Sequence, residues 1–151
     1  MRLVTVLGVV GLLLLGLAGV GYTDYHTRQQ TPGAAASGVR RQIETAVTHA
    51  GFAAGGQSLA YVQQHLGHAL NCIEGKGGRN FNAAWGHVCE GQGNGILTDL
   101  RGAAGGAAVQ PLVEHADALA VTGVKTRDLT TARAAAAGVS ALLKVAAEYL
   151  K

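Results

Sequence analysis

The sequence predicts an all-α fold. It reads as an antiparallel four-helix bundle with a long Gly-rich, disulfide-closed loop between the second and third helices, preceded by an N-terminal transmembrane or signal helix. Three observations carry this. Apolar residues recur at intervals of three and four through four segments, and strand-like alternation is absent. The two cysteines, Cys72 and Cys89, enclose a stretch too rich in glycine to continue a helix. Residues Leu3 to Val20 hold no charge and follow Arg2.

The elements follow in chain order. Residues 1–22 form the membrane anchor or signal segment. Its length reaches the roughly 17–25 residues a spanning helix needs, and Tyr22 and Tyr25 suit an interface. The small residues Gly16 and Ala18 equally suit cleavage after Ala18, which would give a secreted product. Arg2 keeps the start cytoplasmic and sends everything after Tyr22 to the periplasmic or extracellular side. Residues 23–37, with Pro32 and several small and polar side chains, read as a linker ending near Ser37, a helix-capping residue type.

The exported helical domain is then 38–151. Its first helix, 38–52, carries Val39, Ile43, Ala46, Val47 and Ala50 on one stripe and stops at the glycines after Phe52. Ser58 opens the second, with Leu59, Val62, Leu66, Leu70 and Ile73 inward. A second line on that helix, Tyr61, His65, His68 and Cys72, lies about 130° around from the first and needs a cover, for which the following loop is the nearest element. Asn94-Gly95 marks a turn before a short helical piece at Ile96–Gly102. Helices over 108–124 and 128–150 complete the domain; Pro111 is expected in the first turn of the former, and Asp128 caps the latter.

Charge and motif content exclude several functions. The net charge is +3, with only Arg40 and Arg41 adjacent among the basic residues and no aromatic-interleaved basic stripe, so nucleic acid is not an expected partner. Neither a G-x-S-x-G elbow nor a phosphate-binding glycine motif occurs. Glu74, Glu90, Glu114 and Asp117 would form acid/base pairs only if the fold brought them together, which nothing in their spacing indicates, so solvated surface charge is the expectation. No enzyme is expected.

Cys72 and Cys89 are most simply a disulfide in an exported domain. The same cysteines with His68 and His87 have the stoichiometry of a Cys₂His₂ site, although an oxidising compartment would consume the thiolates first. A third arrangement keeps the disulfide and binds copper or zinc through imidazoles: His65 and His68, three residues apart, joined by His49, His87 or His115. Bis-histidine haem has no supporting motif, and the simplest expectation is no cofactor. The loop adds a possible recognition surface in Asn80, Phe81, Asn82, Trp85, Gln92 and Asn94, unless those amides serve the loop's own backbone.

Two functions are therefore expected. One is a membrane-tethered exported helical domain acting as a binding or accessory subunit of a membrane or periplasmic complex, held to the bilayer through residues 3–20 and to a protein partner through the loop. The alternative is a small periplasmic metal-binding protein that uses the histidine-lined helix face for copper or zinc.

Overall fold

The computed structural model describes residues 32–150, and they are all-helical, with no strand among the described residues. The expected anchor or signal segment at 1–22, the Ala18 cleavage point and linker residues 23–31 lie outside them. None of the described helices is long and apolar enough to cross a membrane.

Helix α1 runs Pro32–Ala54, beginning six residues before the expected start at 38. The sequence Pro-Gly-Ala-Ala-Ala explains the difference: proline at the first helical position has no N–H to leave unpaired, and alanine is the strongest helix former. Ser37 therefore stands inside the helix and does not cap it. The buried line Val39, Ile43, Ala46, Ala50 and Ala53 follows the predicted stripe. Helix α2 is Leu59–Glu74, opened by Ser58, whose side chain accepts from the Tyr61 N–H, and closed by Gly75 in a positive-φ conformation.

The segment that follows is folded back by the Cys72–Cys89 disulfide. It contains a 3-10 turn at Ala83–Trp85, whose N-terminus is capped by the Asn82 side chain. A Cβ on Gly67 of α2 would overlap the Trp85 indole, so the missing side chain is what lets that ring pack against the helix. Asn71, fully buried, donates to the carbonyls of Asn82 and Gly86 and accepts from the Asn82 N–H, which pins the backbone on both sides of Trp85.

Helix α3, Ile96–Asp99, continues as a 3-10 turn at Leu100–Gly102. Gln42 of α1 is buried here, donating to Asp99 Oδ2 and accepting from the Gly95 N–H. Helix α4 is Gly106–Lys125 and α5 is Leu129–Tyr149, capped by Asp128 through the Thr131 N–H. Because α4 starts two residues before the expected 108, Pro111 is its sixth residue and not in the first turn. The Ala107 carbonyl thereby loses its normal intrahelical donor, and the Pro111 carbonyl one turn on is met by the His115 ring.

Helix α1 packs on α2 and α5, α4 packs on α2 and α5, and the core lies between these four. Much of it is small: Ala46, Ala50, Ala69, Ala116, Ala120, Ala132 and Ala136 are all buried, and Gly123 sits against Leu66 and Ala135. Small side chains bring helix axes close, so groups on facing edges of α1 and α2 fall within contact distance.

Candidate metal centre

The face of α2 opposite its core stripe is covered by two elements. The disulfide loop covers the Cys72 end, while α1 covers the histidine end. His65 and His68 are three residues apart, so their rings project from the same side of the helix. His49 comes from α1, beside the buried Ala46 and Ala50, and reaches across the α1–α2 interface.

The three rings converge. His49 Nδ1 lies 3.1 Å from His65 Nδ1 and 3.1 Å from His68 Nδ1. One ligand atom from each histidine can be chosen so that all three lie within 4.8 Å of one another, and no other group of three or more His, Cys, Asp or Glu does so among the described residues. Two imidazole nitrogens bound to one tetrahedral zinc at 2.0–2.1 Å stand about 3.3 Å apart, so the two spacings from His49 are close to those of ligands around one ion.

Electrostatics favour the ligand form. Burial, and then the neighbouring His68 and His65 rings, lower the pKa of His49 from 6.5 to about 4. Burial and His68 also lower that of His65. Both rings are therefore predominantly neutral at pH 7, and neutral imidazole is the species that binds metal. At 3.1 Å the His49 Nδ1 lone pair cannot face a bare lone pair on either neighbour; a proton or a cation must stand between each pair.

Aromatic rings wall the cluster. Phe52 meets His49 and His65 edge-on at 5.7 and 5.4 Å, and Tyr61 lies 4.4 Å from the His65 ring. Phe52 and Tyr61 are 49% and 46% exposed, and line a cleft of about 570 Å³ together with Gly51, Gly55, Gly56, Gln57 and Ser58. Among the described residues, no carboxylate lines this cleft.

The other two histidines named from the sequence do not join the cluster. His87 packs edge-on against Phe81 at 5.3 Å, and its pKa is lowered by burial and by Lys76, with Glu90 opposing. His115 is exposed on α4 and bonded to the Pro111 carbonyl at 2.6 Å. Cys72 and Cys89 are bridged and offer no thiolate. The loop residues are largely engaged within the fold. Asn80 donates to Glu74, Asn82 caps its turn, Gln92 accepts from Thr45, Asn94 donates to Asp99, and Trp85 covers Gly67.

Two features escaped the sequence reading. Gln64, with its amide 3.0 Å from His68 Nε2 and 3.0 Å from the Trp85 carbonyl, had a visible signal in its i, i+4 spacing to His68; the carbonyl had none. Glu74 and Asp117, expected as surface charges, are each only 8% exposed and stand close enough for their charges to interact. Burial, then the charge of Glu74, raises the Asp117 pKa from 3.8 to about 6, with Arg79 opposing. Asp117 Oδ1 has no partner. Packing of α4 on α2 creates this pair, and no spacing within one helix could announce it.

No family model matches the chain, and no curated protein or solved structure matches it either.

Proposed function

We propose that this is a small exported protein, tethered to a membrane through residues 3–20, that binds a transition metal ion, zinc or copper, between two helices of an antiparallel four-helix bundle. The observation that carries the reading is the convergence of His49, His65 and His68 Nδ1 atoms across the α1–α2 interface. Imidazole is a favoured ligand of both metals, and three such ligands leave a coordination position for water or an incoming group. The disulfide, the Gly-rich loop and the export signal belong together in an oxidising compartment.

The reading is tested by elemental analysis and zinc and copper titration of the full chain purified without chelators. The expected result is one ion per chain. His49→Ala or His68→Ala lowers affinity by more than the roughly 10–100-fold cost of losing a group that merely orients a ligand, while His87→Ala and His115→Ala leave it unchanged. Equal affinity in His49→Ala would dispose of the proposal.

A second reading, an accessory subunit that docks on a protein partner, is supported by the exposed Phe52 and Tyr61 beside the cleft. It moves the contact surface from the loop to the α1–α2 corner. Under that reading Tyr61→Ala abolishes co-purification of the partner without altering metal content.

A further inference from the structure

The metal reading assigns His68 a ligand role but leaves open which of its nitrogens carries the proton, and here the geometry is specific. The Gln64 amide nitrogen makes two contacts, to the Trp85 carbonyl oxygen and to His68 Nε2. A carbonyl only accepts, so the amide atom facing it must be the N–H₂ group; the amide oxygen in that place would set oxygen against oxygen at 3.0 Å. The second N–H of the same group then points at His68 Nε2, which must accept. A neutral ring that accepts at Nε2 holds its proton on Nδ1. That proton points at His49 Nδ1, 3.1 Å away, and occupies the lone-pair position a metal needs.

The Trp85 carbonyl is itself held firmly. Its ring lies on Gly67, Asn71 binds the carbonyls of Asn82 and Gly86 on either side, and the Cys72–Cys89 bridge closes the segment. To offer Nδ1 to an ion, His68 must move its proton to Nε2. The Gln64 N–H₂ then faces an N–H and must turn away, losing the Trp85 carbonyl.

Building on the metal reading, we propose that Gln64, oriented by the Trp85 carbonyl, is a positioning residue that locks His68 in the Nδ1–H tautomer and so restrains metal binding, coupling the site to the disulfide-closed loop. Gln64 is exposed, and its replacement removes no core packing. A carboxylate there would reverse the lock, because it accepts from Nε2–H and favours a free Nδ1 lone pair, the arrangement in which a carboxylate orients a metal-bound histidine.

The test begins with nitrogen-15 imidazole NMR of the metal-free full chain, with the His68 signals assigned by comparison with His68→Gln. Wild type is expected to show Nδ1–H at His68, and Gln64→Glu to show Nε2–H. Zinc titration of the same samples follows, with binding about tenfold tighter in Gln64→Glu. Gln64→Ala, which adds no charge, is expected to tighten binding severalfold. Nε2–H at His68 in wild type overturns the lock outright, whatever the zinc data show. Zinc affinity in Gln64→Ala equal to or below that of wild type overturns the restraint. If the tautomer switches as expected but no protein binds zinc or copper, the metal reading fails and the restraint with it, while the orientation of His68 by Gln64 stands.

Discussion

Asp117→Asn should stabilise the protein at neutral pH, and its effect can be worked from the structure. Asp117 ionises in the unfolded chain near 3.8 but in the folded one near 6, chiefly because it is buried and then because Glu74 is beside it. A carboxyl whose folded pKa is raised holds its proton longer in the folded state. Folding stability is therefore lost as pH rises from about 4 to about 6, and stays lost above that. Just over two pH units at about 1.4 kcal/mol each set a ceiling of about 3 kcal/mol. The adjoining cavity of about 830 Å³, lined by Arg79 and Lys125 as well as the acids, admits water, and screening reduces the expected penalty to about 1–2 kcal/mol. Asparagine keeps the shape, donates to Glu74 and has no charge to repel it. The assay is denaturant unfolding of the full chain and the variant at several pH values in the same detergent. The two should coincide near pH 3.5, diverge in the variant's favour between pH 4 and 6, and remain about 1–2 kcal/mol apart at pH 7. The comparison matters because His49 acts oppositely in the same window: its lowered pKa makes stability fall as pH drops from 6.5 towards 4. Only the difference between the two proteins isolates Asp117. A gap independent of pH, or a variant less stable at pH 7, would refute the account of Asp117 as a buried carboxyl with a raised pKa at the α2–α4 contact.

Two further perturbations probe the loop. A Cβ at Gly67 would lie 2.8 Å from Trp85 Cε3 and closer still to Cδ2 and Cγ, so Gly67→Ala must displace the indole. Overpacking of this kind costs about 1–3 kcal/mol, partly offset by the roughly 1 kcal/mol gain of alanine over glycine in a helix. The chain has one tryptophan, so red-shifted emission reports the displacement directly, and an unchanged spectrum would show that the ring does not rest on the helix. Opening the disulfide by Cys72→Ser with Cys89→Ser frees a loop with a sequence separation of 17 and should lower stability by about 3 kcal/mol. Equal unfolding midpoints for the oxidised wild type and the double variant would contradict this.

The helical elements were legible because their signals are local. Ser58 and Asp128 are caps whose oxygens accept from the N–H three residues on, and the Val62, Leu66, Leu70 and Ile73 stripe is buried as its period requires. The start of α1 is ambiguous in the sequence because Pro32 and the three alanines after Gly33 fit a linker by composition and a helical first turn equally well. In the candidate site, the i, i+3 pair His65 and His68 is visible on one helix, while His49 is only one of three candidate third ligands beside His87 and His115.

What the sequence determined alone was which side chains share a helix face and that its only two cysteines are available to pair, since helix period acts over a few residues and cysteine count is read from composition. What only the tertiary structure decided was which faces meet. Small alanine-rich interfaces let α1 approach α2 closely enough for His49 to complete the cluster, left His87 on the loop and His115 exposed on α4, and pressed Asp117 against Glu74. Those outcomes depend on distances between helices far apart in the chain, and no periodicity within a single helix encodes them.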